Sequence, residues 1–116
     1  MIQVKRAYEA AGKNDGARLL VDRVWPRGLK KEQLRLDGWI KEVAPSTELR
    51  KWFQHDLAKW NEFCRRYFRE LEKNAKSWEP LLERARKGRV TLLFSAHDTQ
   101  HNNAVALKEF LEQKNN

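Results

Sequence analysis

Cysteine is almost missing from this 116-residue chain, with Cys64 standing alone. That excludes an internal disulfide and any cysteine-rich zinc module, and it agrees with a reducing compartment. Long apolar runs are missing too. No segment approaches the roughly 18 apolar residues of a membrane span, and the opening MIQVKRAYEA lacks the extended apolar core of a secretory signal. Only three prolines occur, and no internal repeat or low-complexity tract is present. Glycine-rich phosphate loops, GxSxG elbows and dinucleotide fingerprints are absent as well. What is left describes one cytosolic α/β domain over 1–116, with 41% hydrophobic and 10% aromatic residues available for a core.

Positive charge is in excess: 24 Lys and Arg against 16 Asp and Glu, a net +8. Through residue 36 there are nine basic and four acidic residues, a local +5. Such a surface attracts polyanions and speeds encounter with anionic ligands, and a merely solvated basic face explains it equally well.

Apolar patterning sets the expected elements. Strands are predicted near 2–6, 18–24 and 89–96, the second and third apolar enough to be covered on both faces. Gly12 to Gly16 reads as a loop, and Trp25-Pro26-Arg27-Gly28 as a type I turn that projects Arg27. Asp37 is expected to cap a short helix holding Trp39, Ile40 and Val43, ended by Ala44-Pro45. Ser46 starts another, with Leu49, Trp52 and Phe53 on one face. From Asp56, a stripe of Leu57, Trp60, Phe63, Cys64, Tyr67, Phe68 and Leu71 predicts a long helix packed on the sheet rather than a base-stacking platform. Arg65, Arg66 and Arg69 lie off that stripe, and Cys64 reads as a packed thiol. Ser77 is a candidate cap for a helix with Leu81, Leu82 and Ala85, Pro80 in its first turn and Gly88 at its stop. Asp98 or Thr99 would cap the last helix, whose buried side carries Ala104, Leu107 and Leu111. The whole is a small three-layer-like α/β fold, its short, mostly parallel sheet covered by helices, with strands two and three as parallel neighbours.

In such a sheet the C-terminal strand ends gather on one edge, where ligands bind. Strand two delivers Asp22, Arg23, Trp25 and Arg27, strand three delivers Ser95, His97 and Asp98, and the last helix aims its start, including Asn102, at the same place. Guanidiniums, a hydroxyl and helix N–H groups make an anion cradle. The competing explanation is structural: Arg23 pairs with Asp22 or Asp98, and Ser95 caps a turn. Ser46 and Arg50 share a helix face four residues apart, with Ser46 suited to capping and Arg50 to a third arginine contact. His55 fits a helix-end partner or an acid or base. His97 and His101 have four-residue spacing but no evident third ligand, so no metal or cofactor is assigned. No short Gly-containing turn joins two helices around a basic face, as a helix-turn-helix requires.

The segments DGARLLVDRVWPRGLKKEQL, DGWIKEVAPSTELRKWFQHD and VTLLFSAHD..HNNAVALKEF resemble the YeaO-like family of uncharacterised bacterial proteins over nearly the whole chain. The resemblance implies a small cytosolic α/β protein of unassigned activity. It matches at Asp22, Arg23, Trp25 to Gly28, Ala44 to Ser46, Leu49, Arg50, Trp52, Phe53, His55, Ser95, Ala96, Asp98 and Asn102; His97 departs from it, since the resemblance implies Lys or Arg there in many relatives, which favours a positive charge over a general base. Three functions follow as expectations: binding of a phosphate-bearing or other anionic small molecule through Arg23, Arg27 and Arg50; an enzyme in which Asp22 or Asp98 does acid–base work and Ser95 positions substrate; and nucleic-acid binding over the basic surface. No membrane partner is expected.

Overall fold

The computed structural model describes residues 1–115. Four parallel strands, β1 Ile2–Arg6, β2 Ala17–Leu20, β3 Gly38–Trp39 and β4 Val90–Phe94, form one sheet in the order β1-β4-β2-β3. The central strand β4 pairs with β1 from Ile2↔Val90 to Arg6↔Phe94 and with β2 from Ala17↔Val90 to Leu20↔Leu93. This is the predicted parallel pairing of the second and third sequence-predicted strands. The helices are α1 Lys31–Leu34, α2 Thr47–Phe53, α3 Trp60–Glu72, α4 Ala75–Lys87 and α5 Asn103–Lys114. None is long and apolar enough to cross a membrane.

Strand alternation divides the core between two unequal layers. Leu19, Val21, Leu92 and Phe94 face the main core built by α2 to α5, with Phe63, Tyr67, Leu71, Leu107 and Phe110. Leu20, Leu93 and Ala7 face the other way, onto Leu34 of α1 and the side chains of Trp25, Leu29, Leu36 and Trp39. The second layer is thus one short helix and a tryptophan-bearing loop. The aromatic stripe of α3 packs as expected, with Phe63 stacked on Phe53 at 4.4 Å. Tyr67 is wholly buried and donates its hydroxyl to the Val43 carbonyl at 2.6 Å; burial, with the nearby Glu70, pushes its phenol far above the usual value.

Several boundaries differ from the sequence-based expectation. β2 stops at Leu20, because the chain beyond Val21 turns its polar groups to other partners: the Asp22 carbonyl accepts from Trp39 Nε1 at 2.7 Å. Gly38 and Trp39 form an edge strand and not a helix, since Asp37 N–H and Ile40 N–H donate to the Arg18 and Leu20 carbonyls and the Asp37 carboxylate accepts from Arg18 N–H. The proline turn sits one residue later than expected. Leu29 N–H reaches the Pro26 carbonyl, and Gly28 takes φ +82°, as the third residue of a type II turn requires. Asp56 caps only a 3-10 turn at Leu57–Lys59, which leaves Leu57 exposed and outside the stripe. The helix of Leu81 and Leu82 begins at Ala75, before Ser77, so Pro80 lies inside it. The last helix is capped by Asn102, whose side chain accepts from Val105 N–H and donates to the Asp98 carbonyl.

The N-terminal edge of the sheet carries a buried polar knot. Asp15, tucked under the sheet by the glycine loop, accepts from Gly12 N–H at 3.0 Å, from Lys5 Nζ at 3.2 Å and from Arg18 Nη1 at 2.5 Å. Arg18 is itself buried, donates Nε to the Leu34 carbonyl and leaves Nη2 without a partner. Gly16 closes the loop at φ +63°, where an added Cβ would lie 2.1 Å from the Arg89 carbonyl oxygen, so no other residue fits.

Candidate functional site

The exits of β1, β2 and β4 meet at the C-terminal edge of the sheet, as parallel pairing demands, and an open cleft of about 940 Å³ lies over them. Each neighbouring element contributes chemistry. Asp22, Arg23, Trp25 and Arg27 come from the exit of β2, Ser95 and His97 from that of β4, and Arg6 and Tyr8 from that of β1. Arg50, Lys51, Gln54 and His55 come from α2 and its end, and Asn102 and Asn103 from the start of α5. Ala44, Pro45, Phe53 and Phe63 supply apolar surface.

Asp22 is the one carboxylate among these residues, and its oxygens are committed. One accepts from both the backbone N–H and the hydroxyl of Ser95, at 2.9 and 2.8 Å; the other accepts from the Asn103 amide at 3.1 Å. The same amide also donates to the Val21 carbonyl. Asp22 therefore fastens the exits of β2 and β4 to the first turn of α5. It forms no ion pair with Arg23, and neither does Asp98, so both structural pairings that compete with an anion cradle are absent among the described residues.

Arg23 instead donates Nη2 to the Ala44 carbonyl at 3.1 Å and to that of Pro45 at 3.5 Å, while its buried Nε has no partner. Carbonyl dipoles orient a guanidinium without cancelling its charge. Arg6 is held the same way, by the carbonyls of Ala96 and Ser95 at 2.9 and 3.2 Å, and its Nη2 lies 3.4 Å from His97 Nδ1. Arginine only donates, so in this contact Nδ1 of His97 is the accepting atom. The Arg6 guanidinium also lies 4.8 Å from the centre of the Tyr8 ring, whose hydroxyl donates to the Arg27 carbonyl at 2.8 Å. That bond lashes the segment after β1 to the proline turn after β2. Arg27 and Arg50 are exposed.

At the end of α2, Gln54 and His55 both take left-handed backbone conformations, at φ 48° and 58°. Gln54 N–H closes the helix on the Arg50 carbonyl. Two successive non-glycine residues in this region store roughly 1 kcal/mol or more each, and both line the cleft.

Nine of the residues singled out from sequence thus line one cleft: Asp22, Arg23, Trp25, Arg27, Arg50, His55, Ser95, His97 and Asn102. Two do not. Ser46 caps α2, accepting from Leu49 N–H, and gives its hydroxyl and its own N–H to Glu70 of α3 at 2.6 and 2.8 Å. Asp98 folds its own turn, accepting from Gln100 and His101 N–H and from His101 Nδ1 at 3.0 Å; the Gln100 N–H, foremost, holds its carboxyl below the ordinary range against some desolvation. His101 faces Asp98 and the Trp60 ring while His97 faces Arg6, so the two imidazoles have different partners. Arg6, Tyr8, Lys51, Gln54 and Asn103 were not singled out from sequence. Arg6 was within reach: it ends β1, and setting that strand parallel beside β4 brings its side chain to the same edge.

The family described as the inactive DUF488-N3 subclade matches residues 1–116, and the chain belongs to it. It is 46% identical to the uncharacterized protein YeaO of Escherichia coli over 110 residues, 95% of this chain and 96% of that protein. It is also 46% identical to the uncharacterized protein Rv3073c of Mycobacterium tuberculosis over 74 residues, 64% of this chain and 63% of that protein. The resemblance read from the motifs is therefore correct, and the function of these relatives is unknown. No solved structure matches the chain.

Proposed function

We propose, from membership of a subclade described as inactive, that this is a cytoplasmic protein whose cleft holds a phosphate-bearing or other anionic small molecule without converting it. The observation that carries the reading is the division of charge in the cleft. Arg6, Arg23, Arg27, Arg50 and Lys51 line it, while the single carboxylate, Asp22, is spent on Ser95 and Asn103. Guanidiniums oriented by backbone carbonyls are pre-set hydrogen-bond donors for an oxyanion, and such charge-assisted bonds are the strong ones. A location at the strand C-terminal edge, beside the start of α5, agrees with this. The lone half-buried thiol of Cys64 supports a reducing, cytoplasmic setting.

The enzymatic alternative has less support. A working acid or base needs a free proton site facing the substrate, yet both oxygens of Asp22 accept internal bonds, Ser95 points its hydroxyl at Asp22, and Asp98 lies outside the cleft. Nucleic-acid binding over the basic surface has less support, because Arg6, Arg23, Arg27, Arg50 and Lys51 gather around one cleft and do not run along a track, and Arg65, Arg66 and Arg86 are paired with Glu62 and Glu83.

Thermal shift with inorganic phosphate, sugar phosphates and nucleotides tests the proposal. A ligand at 100 times its Kd adds about 2.7 kcal/mol of stability, a rise of several degrees. Arg27→Ala and Arg50→Ala, both at exposed positions, should each weaken binding about tenfold or more without lowering the unliganded Tm. No response across the panel, or variants that respond like the parent, would overturn it.

A further inference from the structure

We infer that the bound anion carries a flat aromatic ring at its other end, the chemistry of a nucleoside monophosphate; this rests on the anion-binding reading above. The cleft is not uniformly polar. Tyr8 and Val24, at its mouth, are 42% and 61% exposed, and Trp25 lines the same cleft beside them. Large apolar groups left open at the entrance of a basic hollow gain nothing from inorganic phosphate or a sugar phosphate, which bring no apolar surface to cover them. A planar base does.

Both rings are fixed before any ligand arrives. Tyr8 is tied at its hydroxyl to the Arg27 carbonyl and faces the Arg6 guanidinium. Trp25 donates Nε1 to the Leu29 carbonyl at 2.7 Å and meets Trp39 edge-on, with centroids 5.3 Å apart and planes at 68°. Side chains already oriented by these bonds lose little rotamer freedom on binding, so the side-chain ordering that offsets stacking is small. Arg27 links ring and anion, because the backbone that anchors Tyr8 also carries a cation of the cleft. At about 940 Å³ the hollow lies toward the upper end of the roughly 300–1,000 Å³ usual for small-molecule sites, more room than a lone phosphate fills. A single-stranded nucleic acid would use stacking platforms spaced along a basic track, whereas these rings and cations gather around one concavity.

Calorimetric titration of the intact protein with adenosine 5′-monophosphate, ribose 5-phosphate, adenosine and a short single-stranded oligonucleotide decides the matter. Adenosine 5′-monophosphate should bind about tenfold more tightly than ribose 5-phosphate, the size of one base–aromatic stack. Tyr8→Ala should shrink that ratio several-fold, because adenosine 5′-monophosphate alone loses the stack while both ligands share any loosening of Arg27. Tyr8→Phe, which keeps the ring under Arg6 and loses only the hydroxyl tether, should keep most of the ratio, and circular dichroism checks that both variants are folded. Equal affinity for adenosine 5′-monophosphate and ribose 5-phosphate overturns this inference and leaves the anion site standing. Adenosine binding as tightly as its phosphate overturns both readings, as does binding by none of the compounds. Preference for the oligonucleotide over the mononucleotide, with a steep salt dependence, overturns it in favour of a strand.

Discussion

Removing the carboxylate of Asp15 tests how far the polar knot under the sheet sustains the fold. Among the described residues, Asp15→Asn deletes the only carboxylate paired with the guanidinium of Arg18, a residue 4% exposed, and withdraws charge from the Lys5 contact. Breaking one half of a buried ion pair costs about 3–5 kcal/mol, because the survivor stays desolvated. Arg18 already has one nitrogen without a partner, so it has little spare bonding to fall back on. A chain of this size holds roughly 6–17 kcal/mol in total; the substitution should therefore remove a large fraction and lower Tm by about 10–20 °C. Urea unfolding followed by tryptophan fluorescence measures it, with the midpoint falling and the slope unchanged. The pH dependence follows from the same contacts. Burial alone would raise the Asp15 carboxyl, but the Gly12 N–H, Arg18 and Lys5 outweigh it and hold the group below the ordinary value of 3.8. A folded-state pKa below the unfolded one means the contribution is complete above the unfolded value and drains away as pH falls through the lower folded value. The parent should lose stability steeply in that acid window, and the variant should lack this component. The double change Asp15→Asn with Arg18→Met should recover part of the loss, since the fully buried cation is gone and only the partly exposed Lys5 is left without its carboxylate. A cost below about 1 kcal/mol for Asp15→Asn would refute the reasoning.

Two further outcomes follow. Tyr67→Phe strips the Val43 carbonyl of its buried donor and should cost about 1–3 kcal/mol in chemical denaturation, with ligand affinity unmoved because the hydroxyl is outside the cleft. Burial, with help from Glu109, pushes the Cys64 thiol up to about 11, so modification by a thiol reagent at neutral pH should be slow in the native protein and fast in urea; rapid native labelling would contradict the packing of α3.

How much of this was legible beforehand depends on what each feature needs. The strand cores of β1, β2 and β4 and the stripe from Trp60 to Leu71 were readable because continuous apolar character and i, i+3, i+4 spacing are local properties. Ser46 was recognisable as a cap for the same reason. Gly38 and Trp39 were not: two residues carry no period, and they become a strand only because β2 offers an open edge. The start of α5 was ambiguous in DTQHNN, where several residues can cap, and Asn102 takes the role by bonding forward to Val105 and back to Asp98 at once. At the site, arginines at strand ends followed from topology. The partners of Asp22 did not, since adjacency suggested Arg23 while the fold brings Ser95 and Asn103 from more than 70 positions away. Left-handed Gln54 and His55 left little trace either, because glutamine does not signal that backbone and histidine favours it too weakly to mark a single position.

The unequal covering of the sheet has a dynamic corollary. Four helices guard one side, whereas the other is roofed by a single turn of helix and a loop, the kind of thin cover that breathes first. Trp25 and Arg27 belong to that roof. Amide exchange should accordingly open first at the proline corner, and a ligand seated there would act as a latch on the backbone of the roof, slowing that opening.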